Sequence, residues 1–240
     1  MQEVLMSATI SIQANHGFAA AQSATALLSR HPAPVTDRLF SNAASPNAPV
    51  MRFEADEEIY AEDDAASAFY RVERGVVRLC KFLSDGRRQI DAFYTAGDVF
   101  GFEAGETYEY CAEAVTDCTL VRYRRNGLER MVANDDAMGL KLFTYAMQCL
   151  QRSRAHALLL GRANATHKLA AFLSEMFAAS PGEAAIELAM TRLDIADYLG
   201  LTIETVSRTL SQFERDGIIA MATSRRISLK NRTGLQRLIG

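Results

Sequence analysis

The stretch from residue 191 to 219, TRLDIADYLGLTIETVSRTLSQFERDGII, decides the fold. Thr191 followed by Asp194 forms a capping box, which opens a short helix over Arg192 to Leu199. Gly200 ends that helix, Leu201 and Thr202 make the turn, and Thr202 caps a second helix over Ile203 to Arg215. Small Ala196 falls where the two helices touch, Gly200 falls at the turn and Val206 lies inside the second helix, as a helix-turn-helix requires. Thr209 departs from that pattern, being polar where an apolar residue is usual.

The second helix carries the chemistry. Val206, Leu210 and Phe213 recur at i, i+4 and i+7 and take the core side, turning Glu204, Thr205, Ser207, Arg208 and Ser211 outward. That outward set suits a DNA major groove: Arg donates two hydrogen bonds to guanine N7 and O6, Glu accepts from cytosine N4, and Ser serves either role. Phosphate repels a carboxylate, so Glu204 beside Arg208 makes sense against base edges. A solvated Glu–Arg pair one turn apart is the bland alternative, worth only ~0.3 to 0.5 kcal/mol.

Context favours the groove. IIAMATSRRISLK reads as a hairpin beyond Gly217, and Arg225, Arg226, Lys230 and Arg232 crowd it where a wing would meet phosphates. The whole chain carries a net charge of −3, which taken alone argues against nucleic acid. The charge is partitioned, however. Residues 162 to 240 hold 10 Lys and Arg against 8 Asp and Glu, and residues 1 to 161 hold 16 against 21. The basic charge is local, as a groove-docking surface needs.

Upstream, residues 49 to 125 read as short β-runs between acidic or Gly turns: MRFEADEEIYAE, ASAFYRVERGVVRLCKFL, QIDAFYTAGDVFGF and CAEAVTDCTLVRYRR. Many short strands at even spacing predict a small antiparallel barrel or roll. Asp85-Gly86 predicts a hairpin with a tight primed turn, and Gly75, Gly97 and Gly101 predict turns between strands. Residues 126 to 161 read as a long helix, its main part running from about Asp135 to Leu160. Leu142, Tyr145, Cys149, Ser153, His156 and Leu160 recur in three- and four-residue steps and predict a dimer seam. A second stripe, Phe143, Met147, Leu150 and Leu158, is expected to pack on the chain's own barrel. A single amphipathic helix lying on its own domain remains the alternative, because Ser153 and His156 are polar. Residues 1 to 48, rich in Ala, Ser, Asn and Pro, predict a mobile tail with at most a short helix around Ala19 to Arg30.

Composition excludes other classes. With 49% hydrophobic and 23% charged residues the chain is ordinarily globular, and 240 residues suit two domains. No run is long and apolar enough to cross a bilayer and the start lacks a basic n-region, so a cytoplasmic protein without a membrane partner is expected. Cys80, Cys111, Cys118 and Cys149 form no CxxC pair and are expected to be free, mostly buried thiols, with no metal site. The roll stretch contains no histidine, so neither a cupin-type metal centre nor a His-based triad can be built there; no catalytic residue is expected.

DIADYLGLTIETVSRTLSQFERDGII, preceded by SDGRRQIDAFYTAGDVFGF and the long helix, resembles the CRP/FNR superfamily of transcription regulators in its FNR/FixK branch, over about residues 50 to 235. The resemblance implies an α+β fold: an N-terminal antiparallel β-roll of cyclic-nucleotide-binding type, a long dimerisation helix and a C-terminal winged helix-turn-helix over residues 162 to 240. The family's E-x-x-S-R signature falls on Glu204, Ser207 and Arg208, implying base readout by these three, with Thr202, Thr205, Ser211, Arg225 and Arg226 on the backbone. Ile203 stands where cyclic-AMP-responding members carry an extra arginine, which implies a TTGAT or TTGAC half-site. The iron–sulfur members use an N-terminal cysteine group, and residues 1 to 79 contain none. Cyclic-AMP binders grip phosphate with an Arg-Ser pair, whereas GFEAGETYEYCAEA has no arginine and offers Glu103, Glu106, Glu109 and Glu113. What the resemblance implies is a FixK-type activator of an oxygen-limitation regulon, nitrogen fixation included, needing no cofactor. Its implied partners are double-stranded DNA, a second copy of itself and RNA polymerase. The alternative is a regulator whose roll senses a small effector or haem, for which His156 and Cys80 are the residues to watch.

Overall fold

The computed structural model describes residues 48–127, 136–162, 164–180 and 183–239. The predicted tail up to Asn47, with its short helix, lies outside the described residues.

Eight strands build the roll: β1 (Val50–Phe53), β2 (Glu58–Tyr60), β3 (Ala68–Arg74), β4 (Val77–Phe82), β5 (Arg88–Tyr94), β6 (Val99–Phe100), β7 (Cys111–Ala114) and β8 (Cys118–Arg124). They form two four-stranded sheets, ordered β1-β8-β3-β6 and β2-β7-β4-β5, with every pairing antiparallel. Alternation along each strand sends one set of side chains between the sheets. Tyr70, Val72, Phe100 and Leu120 from the first sheet meet Tyr60, Val77, Leu79 and Ala112 from the second in one core. The opposite face of β4, β5 and β7 carries Arg78, Cys80, Arg88, Ile90, Cys111 and Glu113, and this outward face receives the C-terminal region.

Gly75, between β3 and β4, has φ +95°, and a Cβ there would stand 2.5 Å from the Asp117 carbonyl oxygen. Only glycine fits. The β4–β5 hairpin differs from expectation. Leu83 N–H bonds to Arg87 O at 2.8 Å and Gly86 N–H to Leu83 O at 2.9 Å, leaving a three-residue loop in which Gly86 alone has positive φ. Asp85 instead turns its carboxylate onto the Arg87 N–H at 3.1 Å, so the connection is a turn closed by a glycine bulge, not a primed two-residue turn.

Helix α1 (Asp136–Arg162) runs 27 residues, about 40 Å. No described helix is long and apolar enough to cross a membrane. Its two stripes do not pack as predicted: the expected seam faces the chain's own roll and C-terminal region, and the second stripe is exposed. Tyr145 is 3% exposed and its hydroxyl donates to Val99 O at 2.5 Å, while Leu142 and Cys149 pack with Phe69, Val99, Val121 and Tyr123 of the roll. His156 stacks on Tyr198 with ring centroids 4.1 Å apart, and a Cβ at Gly200 would lie 3.6 Å from Leu160 Cδ2. Of the predicted seam only Ser153 is exposed. Conversely Phe143 and Leu158 are both 63% exposed, and Leu140, Met147 and Leu150 are exposed with them. Both stripes satisfy the same spacing. The roll offers an acceptor to the Tyr145 hydroxyl, and α3 offers the Tyr198 ring for His156 to stack on, so that stripe packs inward.

The C-terminal unit comprises α2 (Ala165–Ala179), β9 (Ala185–Glu187), α3 (Arg192–Leu199), α4 (Ile203–Arg215), β10 (Ile219–Met221), β11 (Arg226–Leu229) and α5 (Arg232–Arg237). The predicted hairpin is present as β10–β11, and β9 joins β11 to make a three-stranded sheet in the order β10-β11-β9. Leu169, Phe172, Ile195, Leu199, Val206, Leu210, Phe213 and Ile227 share its core.

Candidate nucleic-acid interface

Local sequence sets the two central helices. Thr191 Oγ1 accepts from Asp194 N–H at 3.1 Å, and Asp194 Oδ2 accepts from Thr191 N–H at 2.9 Å, the reciprocal bonds of a capping box. Gly200, at φ 59° and ψ 48°, ends α3 in the left-handed region, and the buried Lys168 of α2 donates its Nζ to Leu199 O at 3.0 Å. Thr202 caps α4 by accepting from Thr205 N–H at 3.2 Å.

On α4, Val206, Leu210 and Phe213 are buried against the core, together with Thr209. Thr209 satisfies its hydroxyl by donating to Thr205 O at 2.8 Å, which explains how a polar residue fills an apolar position. Glu204, Ser207 and Arg208 stand exposed on the opposite side, with Thr202 exposed before them and Thr205 and Ser211 half-buried at the edge. The helix N-terminus holds Glu204 ionised: a bond from its own backbone N–H, then one from the Thr202 hydroxyl, lowers its carboxyl below the usual range. Its acceptor oxygens are therefore ready beside the Arg208 donors.

Arg225 and Arg226 are exposed at the wing turn, where Thr223 Oγ1 accepts from both of their backbone N–H groups, at 3.2 and 2.9 Å. Glu214 on α4 fixes the wing by accepting from Met221 N–H at 2.8 Å. Lys230 and Arg232 are exposed further along. The structure thus gathers Glu204, Ser207 and Arg208 on one helix face and sets Arg225 and Arg226 apart from them on the wing.

Comparison with known proteins agrees with this geometry. Residues 167–238 match the Crp-like helix-turn-helix domain and residues 50–135 the cyclic nucleotide-binding domain. The chain is 45% identical over 191 residues to the nitrogen fixation regulation protein FixK of Azorhizobium caulinodans, spanning 78% of this chain and 77% of that protein. It belongs to the CRP/FNR superfamily, in its FixK-like branch. The transcriptional activatory protein AadR of Rhodopseudomonas palustris is 38% identical over 71% of this chain and 73% of its own length. The structure of FixK2 from Bradyrhizobium japonicum matches with a TM-score of 0.78 and 43% identity, over 80% of this chain and 98% of that one. As a FixK-like CRP/FNR regulator the protein is a DNA-binding transcription regulator and not an enzyme.

In this FixK-like regulator a joint that sequence reasoning missed ties the roll to the helix-turn-helix. Arg88 donates to Asp194 Oδ1 at 2.6 Å and to Asp197 Oδ2 at 2.8 Å, both on α3. Arg78 reaches Asp194 at 3.4 Å while bonding Glu113 at 2.7 Å and Asp56 at 3.1 Å. Burial alone would raise the Asp194 carboxyl, but the Thr191 bonds and the two guanidiniums outweigh it and hold the group below the usual range. Asp194 is therefore both helix cap and inter-domain anchor. Glu113, expected to face a nucleotide phosphate, lies on the outer face with Arg78 instead. Nothing in the spacing of Arg78 and Arg88 marks them, because their partners on α3 lie more than 100 residues away.

Proposed function

We propose that the protein is a homodimeric activator of an oxygen-limitation regulon, reading a palindrome of TTGAT- or TTGAC-type half-sites. The observation that carries this reading is the exposed Glu204, Ser207 and Arg208 face of α4, backed by an inner face of Val206, Leu210 and Phe213 with the self-satisfied Thr209. Arg208 donates to a guanine, the ionised Glu204 accepts from a cytosine N4 and Ser207 completes the readout. Thr202, Thr205, Ser211, Arg225 and Arg226 hold phosphates and set the register. Helix α1 joins two copies through the exposed stripe Leu140, Phe143, Met147, Leu150 and Leu158. A dyad through that helix places two recognition helices one helical turn, ~34 to 36 Å, apart. Double-stranded DNA and RNA polymerase are its partners, in the cytoplasm.

The protein binds DNA without iron–sulfur cluster or cyclic nucleotide. In support, aromatic rings fill the roll: Tyr60 stacks on Tyr108 at 3.7 Å and on Tyr70 at 5.8 Å, and Tyr70 on Phe100 at 5.5 Å. Titrating purified protein into a labelled TTGAT palindrome and a scrambled duplex at fixed salt tests the proposal. Equal affinity for the two contradicts it.

One observation favours a second reading, control by a small effector. A cavity of about 320 Å³ lies where β5, α1, α2 and α3 meet, lined by Asp91, Tyr94, Arg152, His156, Glu175 and Tyr198. Its volume is at the lower limit of ligand pockets. A cofactor requirement in the same titration supports this reading over the first.

A further inference from the structure

Cys80 and Cys111 stand directly opposite each other on the antiparallel strands β4 and β7, with their sulfurs 3.2 Å apart. Residues so opposed have Cα atoms roughly 4.5 to 5.5 Å apart, within the range a disulfide spans, so side-chain rotation alone can bring the sulfurs to bonding distance. The pair lies on the outer face of its sheet, not in the roll core. Ile90 flanks it and Tyr198 of α3 packs over it, beside the Arg78–Glu113 and Arg88–Asp194 bonds. Both thiols are buried in this arrangement, and the cluster they form with Ile90 is covered by Phe93 of β5 and by Tyr198 of the helix-turn-helix. We infer that Cys80 and Cys111 form a reversible dithiol–disulfide site, shielded while α3 is docked on the roll and open to a small peroxide when α3 lifts away.

The chemistry balances with hydrogen peroxide as oxidant. The hydrogen bond from Cys80 favours the thiolate of Cys111, whose thiol is lowered, while Cys80 is raised. The Cys111 sulfur attacks one peroxide oxygen, the O–O bond breaks and the other oxygen leaves as water, giving a sulfenic acid. The Cys80 sulfur then attacks that sulfur, the S–S bond forms, the S–O bond breaks and a second water leaves. Two electrons pass from the thiols to the peroxide, and a dithiol reductant reverses the change. Metal binding fits the site less well. Cys80, Cys111 and Glu113 place donor atoms within 4.8 Å of one another, but Glu113 already accepts from Arg78 at 2.7 Å and lies 3.7 Å from Arg88, so a cation would meet two guanidiniums. Because docking covers the thiols, the rate at which peroxide reaches them is set by the fraction of molecules in which α3 is undocked. The inference does not depend on which DNA sequence α4 reads.

The test treats the full-length protein with a few equivalents of hydrogen peroxide, then alkylates and maps every cysteine by mass spectrometry. The expected result is an intramolecular cross-link between the Cys80 and Cys111 peptides, loss of two of the four free thiols, and recovery with dithiothreitol. Cys80→Ala should leave Cys111 as a sulfenic acid trapped by dimedone, with no cross-link. Arg88→Gln removes the bonds to Asp194 and Asp197 and also a guanidinium that lowers the Cys80 thiol, a loss that by itself would slow the chemistry; it should nonetheless speed the reaction at least about fivefold by raising the open population. Four unreacted thiols, a cross-link running between protomers through Cys149, or stoichiometric zinc in the purified protein would overturn the site. A rate unchanged in Arg88→Gln would overturn its control by docking.

Discussion

Arg208 and Glu204 stand one turn apart on the exposed side of α4, and their separate roles make separate predictions. Arg208→Ala should lower discrimination at one base pair by about 1 to 3 kcal/mol, read by competition between the palindrome and its single-base variants. Arg225→Ala should weaken matched and random duplexes alike and reduce the salt slope by about 1. At this scale much was legible. Thr191, Asp194, Gly200 and Thr202 act locally, through bonds to chain neighbours three to five residues away, and their roles can be read from spacing. Asp194 was legible only in part: its cap is local, whereas its bonds to Arg78 and Arg88 depend on how distant elements dock.

Elements show where local reading stops. The limits of α3 and α4 follow from caps and periodicity, and the structure places them at the predicted residues. Strand β9 is three residues long and carries no period of its own; its pairing with β11 makes it a strand. The stripes of α1 share one spacing, so the sequence alone could not say which meets the roll and which faces out. The exposed stripe now makes the prediction. Phe143→Glu places a charge in the proposed dimer seam, at a residue 63% exposed, and should give monomers in sedimentation equilibrium while leaving the fold intact. Tyr145→Phe should keep the dimer but cost about 1 kcal/mol of stability, because Val99 O loses its buried donor.

Over the whole molecule, net charge and long-range docking matter most. The overall −3 conceals a basic C-terminal face, and the local sign bears on DNA binding. At the junction of roll, α1 and helix-turn-helix, burial pushes the Glu175 carboxyl up to about 7, against an opposing effect of Arg152. Burial holds His156 down to about 4. The folded chain keeps the Glu175 proton where the unfolded chain, with a carboxylate value near ~4.3, has lost it, so this group makes stability fall as pH rises from about 4.3 to 7. His156 acts oppositely, its stability being lost as pH falls from about 6.5 toward 4. Glu175→Gln should therefore raise Tm at pH 8, by a stabilisation on the order of 2 kcal/mol, and leave it nearly unchanged at pH 4.5. The most direct test of the central claim is a gel shift of the as-purified, cofactor-free protein in air at stated salt. The probes are a TTGAT palindrome, a scrambled control and a palindrome whose half-sites are moved apart by half a helical turn. A dimer that binds the first at least about a thousandfold more tightly than the second, and loses that preference on the third, is the predicted result. Equal binding to all three, or specific binding only after a cofactor is added, would contradict it.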